Sequence, residues 1–211
     1  VASLNRPAET AFATSLRDIC LTARAGEVLG IAGIAGNGQD ELMEALIGEW
    51  RGRDTDVIRI DGADITRDGP SRRRQRGLGF VPEERNGHAA VPNMTLADNA
   101  LLTSHSLGKV VTRGLIDATA TRTMAAEVAS SFDVRLPQEN PMASALSGGN
   151  LQKFVVGREI SRRPRVFIVS QPTWGVDVGA ALSIRTAMLD LAAAGSAVVM
   201  ISQDLEEIFA I

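Results

Sequence analysis

A glycine-rich loop near the start of the chain has the residue types and spacing of a phosphate-binding turn. Two glycines bracket four residues across 33–38, a short apolar run (28–32) precedes the loop, and apolar residues at helical spacing (41–47) follow it. Strand, glycine loop and helix in that order point backbone amides at an anion. The candidate binding residues here are Gly33, Gly36, Asn37, Gly38, Gln39 and Asp40.

The two residues after this loop are not those that a phosphate loop normally uses. A lysine there neutralises β- and γ-phosphate charge, and a serine or threonine hydroxyl ligates Mg²⁺. This chain has Gln39 and Asp40 instead. Asp40 and Glu41 suit the positive end of the helix dipole, so they compete with a phosphate for it. Backbone amides can still hold an anion, so the loop alone is compatible with either a phosphate site or a plain glycine turn before a helix.

A second turn with the same kind of chemistry occurs at residues 146–150, Leu-Ser-Gly-Gly-Asn. Ser147 is placed to cap a helix that runs to about Arg162 and stops before Pro164. A serine hydroxyl and glycine amides at a helix N-terminus bind phosphate well. The candidate residues at this turn are Ser147, Gly148, Gly149 and Asn150. A capped helix after a glycine turn is the alternative.

Residues 146–153 resemble the signature sequence of ABC transporter ATPases, in the form found in importers of sugars and nucleosides, and residues 165–179 resemble the Walker B strand and D-loop of that family. The resemblance implies that the serine-glycine turn reaches the γ-phosphate of ATP held by an opposite domain. It places Ser170 where the family has a Mg²⁺-binding aspartate and Gln171 where it has the catalytic glutamate. Gln171 can orient a water but cannot accept its proton. The D-loop residue Asp177 is retained.

Three further positions follow from the same resemblance. Residues 198–205 resemble the strand that leads to the switch histidine, with Gln203 in its place, which removes the titratable proton. Residues 80–85 resemble the Q-loop region, which faces the transmembrane subunit. The expected coupling residues there are Val81, Pro82, Glu83, Glu84 and Arg85. Phe12 lies near the position where the family stacks an aromatic ring on adenine.

Strands that alternate with helices predict an α/β fold with a mostly parallel sheet covered on both faces. The resemblance implies the P-loop NTPase core of an ABC ATPase, with a small N-terminal antiparallel β part and an inserted α-helical subdomain. We expect residues 1–92 and 147–211 to form the nucleotide-binding core and residues 93–146 the helical signature subdomain. Residues 16–21, 28–32, 57–60, 78–81, 166–169 and 197–201 are the predicted strands.

The resemblance from about residue 16 to residue 211 implies the second, C-terminal ATP-binding domain of a sugar- or nucleoside-importing ATPase. Its own Walker A and B site is degenerate, so we expect negligible hydrolysis by this domain alone and no Mg²⁺ at its own site, with ATP bound mainly through a partner domain. The implied partners are the first ATPase domain of the parent chain, the permease subunits and, indirectly, a solute-binding protein, at the cytoplasmic face of the plasma membrane. An active ATPase with a rearranged site and a nucleotide-free scaffold that docks the permease are the alternatives.

Composition limits other functions. The 211 residues carry a formal charge of −3, which argues against a nucleic-acid binder, and the arginines of 72–76 are interpreted as a solvated helix face. Cys20, the one cysteine, lies in an apolar stretch and is interpreted as a buried structural thiol. His88 and His105 have no ligand partners at metal-site spacing, so no metal site is assigned. A first residue that is not methionine and a helical pattern reaching residue 211 suggest a segment of a longer polypeptide.

Overall fold

The computed structural model describes residues 1–10, 13–53, 55–107 and 110–211. Its main sheet contains β1 (Val28–Ala32), β4 (Leu78–Val81), β7 (Val166–Ser170) and β8 (Ala197–Ser202). The strand order is β1-β8-β7-β4, and β8 pairs in parallel with both β1 and β7. Parallel neighbours need crossover connections, which helices supply here. The predicted α/β class is confirmed.

Two small antiparallel hairpins lie outside this sheet: β2 (Arg59–Ile60) pairs with β3 (Ala63–Asp64), and β5 (Val111–Thr112) pairs with β6 (Leu115–Ile116). The α-helices are α1 (Gln39–Ile47), α2 (Pro70–Gln75), α3 (Leu96–Ser104), α4 (Ala118–Ser131), α5 (Gly148–Ile160), α6 (Val178–Ala193) and α7 (Leu205–Phe209). Short 3-10 helices occupy His105–Leu107 and Ala143–Ala145. No helix within the described ranges is long and apolar enough to cross a membrane.

The chain divides into two compact units. The first comprises Val1–Phe80, Pro164–Gln171 and Leu191–Ile211, and the second comprises Val81–Arg163 and Pro172–Asp190. The first therefore contains the glycine loop and most of the main sheet, whereas the second contains the serine-glycine turn and α5.

The core of the first unit packs α1 against β7 and the β2–β3 hairpin region. Helix α1 ends as predicted, because Gly48 adopts a left-handed conformation (φ 89°) and its amide returns to Glu44 O. Among the buried side chains that form this core are Leu42, Leu46, Ile47, Ile58, Ile65, Leu78, Ile168, Val199 and Ile201.

Arg73 lies in this core, which corrects the expectation that the arginine cluster forms a solvated helix face. Its side chain is fully buried, and burial lowers its pKa to about 10. The guanidinium donates to four backbone carbonyls, those of Asp68, Ala45, Leu46 and Thr66. Hydrogen bonds of this kind are what make a buried charge tolerable. Arg72, in contrast, stays exposed.

The second unit is built on helix packing, with α4 in contact with both α3 and α5. Thr95 and Asp98 form a reciprocal capping box at the start of α3, which satisfies two otherwise unpaired amides. On α5, Gly157 faces the ring of Phe132 so closely that an added Cβ would lie 2.5 Å from Cδ2. Glycine is therefore what lets the ring approach the helix.

Three local expectations are wrong. Residues 16–21 do not form a strand: Leu16 makes an isolated bridge with Arg6, and the left-handed backbone of Asp18 (φ 49°) interrupts the extended path. The strand at 28–32 forms, but it is only partly buried because it pairs with β8 at the edge of the sheet. Cys20 is exposed rather than buried, because its neighbours Ile19 and Leu21 are the side chains of this segment that pack against the core.

The sequence pattern does not predict the β5–β6 hairpin, because it favours helical structure for the residues of this region. Arg113 and Gly114 both have positive φ (54° and 81°) and connect strands of two residues each. Two consecutive positive-φ residues are the requirement of the tight hairpin turn. A glycine in the second position was the signal that could have revealed it.

Candidate functional site

The glycine loop of the first unit connects β1 to α1 as predicted. Gly36 and Gly38 both adopt positive φ (81° and 99°), a conformation that side chains rarely tolerate. Gly38 also serves as the N-cap of α1 and offers no side-chain acceptor. The amides of the first helical turn therefore point into the loop, the arrangement that holds an anion at a helix start.

The Gln39 side chain folds back onto this loop. Its Oε1 accepts a hydrogen bond from the Asn37 amide (3.1 Å), and its Nε2 donates to Ile34 O (2.9 Å). It also passes so close to Gly33 that an added Cβ there would lie 2.2 Å from Nε2. Gln39 thus takes a loop amide for itself and occupies the space beside Gly33.

The charged side chains next to the same loop are carboxylates. Asp40 and Glu41 are in the first turn of α1, and the Glu41 carboxylate accepts the Thr14 amide (2.7 Å). Thr14 also donates from Oγ1 to Gly36 O (2.8 Å), which fixes the loop from outside. Asp40 is exposed. Without a lysine, this loop has no positive side chain to offset a triphosphate.

Gln171 and Gln203, the predicted degenerate catalytic positions, lie together at the carboxyl ends of β7 and β8. Gln171 is 5% exposed and has a left-handed backbone (φ 50°). Its Oε1 accepts the Gln203 amide at 3.4 Å and lies 3.5 Å from Ser202 Oγ. Ser202 donates instead to the Glu207 carboxylate. Ser170, at the expected Mg²⁺ position, is buried and offers only a hydroxyl.

In the second unit, Ser147 caps α5 as predicted. Its Oγ accepts hydrogen bonds from both the backbone amide (3.4 Å) and the side-chain amide (3.0 Å) of Asn150. Asn150 is held in turn, because its Oδ1 accepts the Arg135 amide (2.9 Å). With its acceptor sites used in this way, the Ser147 hydroxyl keeps its proton free to donate to a ligand.

The amides of Gly148 and Gly149 are the first two of α5, positions that have no partner inside a helix. Within the described ranges no protein acceptor takes either amide. Together with the Ser147 hydroxyl they form an uncharged set of three donors at the helix N-terminus. Such a set is suited to the oxygens of a phosphate.

The D-loop lies beside this turn in the same unit. An added Cβ on Gly149 would lie 3.7 Å from Asp177 Oδ2, and Asp177 Oδ1 accepts the Ala180 amide (2.9 Å) at the start of α6. That backbone hydrogen bond holds the pKa of Asp177 below its ordinary value. Gln152 of α5 donates from Nε2 to Pro172 O (2.9 Å), so the signature helix and D-loop are directly joined.

The loop at residues 81–85 places Arg85 next to the serine-glycine turn, a contact that the sequence does not predict. Val81 and Pro82 are buried, whereas Glu83 and Glu84 are exposed. Arg85 is half-buried, and its guanidinium lies against the signature and D-loop glycines: Cβ atoms added to Gly148 and Gly175 would lie 2.9 Å from Nη1 and 3.3 Å from Nη2.

The predicted residues thus form two groups, one in each unit. Thr14 lies outside the predicted motifs, whereas Gln152 and Gly175 lie inside them without a predicted role. The part that these three residues play emerges only through their contacts. Phe12, the candidate adenine-stacking residue, lies outside the described residues. Groups of three or more His, Cys, Asp or Glu side chains that could hold a metal ion do not occur in the described ranges.

The chain resembles known proteins both in sequence and in fold. Residues 16–174 match the family model described as ABC transporter. The chain is 39% identical over 194 residues to the guanosine import ATP-binding protein of Bacillus subtilis, covering 92% of this chain and 38% of the relative. It is 41% identical over 196 residues to a glucose import ATP-binding protein of Haloferax volcanii, covering 92% and 36%. The nucleoside import ATP-binding protein of Lactococcus lactis is 39% identical over 200 residues, covering 95% and 39%.

The chain therefore spans less than two fifths of the length of these curated relatives. Among solved structures, a dimeric ATP-binding cassette in a post-hydrolysis state bound to ADP and Pi has a TM-score of 0.80, covering 97% of this chain and 88% of that one. At 22% identity this likeness shows the fold alone. From its sequence match and its fold, the chain belongs to the ABC transporter family as an ATPase domain whose relatives are named as sugar and nucleoside import ATP-binding proteins.

Proposed function

We propose that this chain is the second nucleotide-binding domain of an importer of sugars or nucleosides, and that it supplies the signature turn to a composite ATP site while its own site is degenerate. The observation that carries the proposal is the contrast between two loops. Ser147, Gly148 and Gly149 present free donors, whereas Gln39 closes its own loop with two internal hydrogen bonds.

The residues of the chain's own site do not fit Mg²⁺-ATP. Magnesium prefers carboxylate oxygens together with phosphate oxygens and waters, yet the position that the family uses for its aspartate is Ser170. Gln171 cannot accept a proton from an attacking water, and its Oε1 accepts the Gln203 amide. Asp40 adds a negative charge where the triphosphate would lie. We therefore derive no hydrolytic step at this loop.

The serine-glycine turn fits a phosphate supplied from outside the chain. Its donors are the Ser147 hydroxyl and two helix amides, and Asn150 fixes the hydroxyl from behind. A bound triphosphate would supply an anhydride bond that is open to attack by water. The Walker residues of the first domain of the parent polypeptide would complete the site. In this proposal Asp177 and the D-loop approach that same partner.

The wider assembly follows from the same proposal. Residues 81–85 would dock the permease subunits, a solute-binding protein would act through them, and the domain would lie at the cytoplasmic face of the plasma membrane. Residues 93–146 would act as the helical signature subdomain, with 1–92 and 147–211 as the nucleotide-binding core. Each of these assignments stays a prediction.

Two measurements test whether the chain contributes a half-site, meaning the signature turn of a composite ATP site that a partner domain completes. Purified chain should show negligible ATP hydrolysis, because loss of a general base and of the charge-neutralising lysine lowers rate by several orders of magnitude. In the intact importer Ser147→Arg should abolish transport, because a long cationic side chain fills the turn, while Ser144→Arg, outside the turn and exposed, should not. Steady turnover by the purified chain that Gln171→Ala abolishes would favour an active, rearranged site instead. Normal uptake by the Ser147→Arg importer would favour a nucleotide-free scaffold.

A further inference from the structure

Arg85 is a cationic group that lies next to the signature turn in the second unit. Its Nη1 and Nη2 reach positions that Cβ atoms of Gly148 and Gly175 would contact at 2.9 and 3.3 Å. A Cβ at either place would press against the guanidinium, so the two glycines allow its close approach. The side chain therefore rests on the backbone of the signature turn on one side and of the D-loop on the other.

In the part of the chain that the structure describes, the Arg85 guanidinium forms neither a hydrogen bond nor an ion pair. Burial lowers the pKa of Arg85, with no opposing contribution from a carboxylate. The Asp177 carboxylate, two residues beyond Gly175, takes its hydrogen bond from the Ala180 amide instead. Arg85 is half-buried, and the donors of its guanidinium are available to an anion that approaches this surface.

The donors of the turn itself carry no formal charge. Ser147 offers a hydroxyl, and Gly148 and Gly149 offer backbone amides. A triphosphate has its highest charge density at its terminal phosphate, so a neutral set binds it weakly compared with a set that includes a cation. Guanidinium is the side-chain group that best matches a phosphate, because its planar fork can donate two parallel hydrogen bonds.

We propose that Arg85 is a phosphate-binding residue of the signature surface, and that its guanidinium contacts the terminal phosphate of the nucleoside triphosphate held by the partner domain. The proposal rests on the half-site function above and deepens it: the turn gains a charge-dependent preference for triphosphate over diphosphate. It also gives Arg85 a role different from permease docking, which is the role the family resemblance implies for its loop.

The experiment measures ATP-dependent closure of the two ATPase domains in the intact importer by fluorescence energy transfer, with ATP and ADP as probes. Arg85→Gln should raise the ATP concentration for half-maximal closure about tenfold or more, the value of a lost charge-assisted hydrogen bond. Arg85→Lys should give a half-maximal ATP concentration between those of the wild type and Arg85→Gln, because an ammonium keeps the charge but lacks the planar fork of donors. The weak response to ADP should not change, and the salt dependence of ATP-driven closure should flatten in Arg85→Gln.

Two controls separate this proposal from a structural role and from failure of the half-site. Arg122→Gln changes an exposed arginine on α4 of the same unit and should leave the ATP response unaltered. Gly148→Ala, which displaces Nη1, should weaken closure in the wild type but add little in the Arg85→Gln background, as expected for coupled sites.

The outcomes are distinct. If Ser147→Arg abolishes closure while Arg85→Gln matches the wild type in its ATP and salt dependence, the Arg85 assignment is overturned and the half-site stands. If Ser147→Arg leaves closure intact, the half-site itself fails. An equal loss of response to ATP and ADP in Arg85→Gln, with a lowered melting temperature, would assign Arg85 a packing role and overturn the proposal.

Discussion

Gln152 Nε2 donates to the carbonyl oxygen of Pro172 at 2.9 Å, and this hydrogen bond joins the signature helix α5 to the D-loop within one unit. Gln152 is 1% exposed, so the bond lies in a region from which water is excluded. A movement of the D-loop would therefore be transmitted to α5, and we expect the two segments to move together.

The first prediction concerns this link. Gln152→Leu leaves the Pro172 carbonyl without a donor, which should lower the free energy of unfolding by about 1–3 kcal/mol. Chemical denaturation monitored by circular dichroism measures it. Gln138→Leu, at an exposed position of the same unit, should change stability by less than about 0.5 kcal/mol. Equal effects at the two positions would mean that the buried hydrogen bond contributes nothing.

The second prediction concerns the closed glycine loop. The double substitution Gln39→Lys with Asp40→Ser removes the internal hydrogen bonds of Gln39, supplies the missing cation and removes a carboxylate. It should create measurable Mg²⁺-ATP binding without hydrolysis, because Ser170 and Gln171 remain. Calorimetric titration measures the affinity.

A matched control for the loop is Gln39→Ala, which opens the loop but adds no charge and should bind ATP much more weakly than the double variant. If the unmodified chain already bound Mg²⁺-ATP as tightly as the double variant, the closure by Gln39 would have no functional effect.

The third prediction concerns Gly157, where alanine should have the opposite of its usual effect on helix stability. Alanine in place of glycine inside a helix normally stabilises by roughly 0.5–1 kcal/mol. At Gly157 the added Cβ would lie 2.5 Å from the ring of Phe132, so Gly157→Ala should instead destabilise by about 1–3 kcal/mol. Thermal and chemical unfolding measure the sign, and Phe132→Leu in the same chain should recover part of the loss. A stabilising Gly157→Ala would contradict the packing.

The fourth prediction concerns pH. The Ala180 amide holds the pKa of Asp177 below its ordinary value, so the ionised carboxylate favours the folded state above the unfolded pKa, and this contribution disappears as pH falls through the folded pKa. The stability difference between the wild type and Asp177→Ala should therefore narrow from about pH 6 to about pH 3. A difference that stays constant over this range would show that the carboxylate charge is unimportant. NMR titration of the Asp177 carboxyl gives the folded pKa directly.

Much of the fold could be predicted because its signals are local. Strands β7 and β8 are short apolar runs next to turn residues, and α5 begins at a serine followed by glycines, so pattern and capping chemistry locate them. The strand predicted at 16–21 failed because a single left-handed residue, Asp18, interrupts the alternation. Aspartate adopts the left-handed conformation more readily than most residues, but its presence alone does not show where a strand is interrupted.

The site was only partly accessible from sequence for a different reason. Motif spacing located Ser147, Gln39 and Gln171, but the contacts that give them meaning join residues far apart along the chain. Arg85 approaches Gly148 across more than sixty positions, and no periodicity reports such an approach. The fold-back of Gln39 depends on a side-chain conformation, which sequence pattern does not specify.

The surroundings of Gln171 would act strongly on a carboxylate placed at the same position. Its amide oxygen lies 3.5 Å from the Ser202 hydroxyl, which already donates to the Glu207 carboxylate. A glutamate at position 171 would bring a second negative charge to that buried hydroxyl, and two carboxylates at one small site resist simultaneous ionisation. We therefore expect the carboxyl group in Gln171→Glu to stay protonated unless Glu207 also changes, so that this one substitution would not supply a general base.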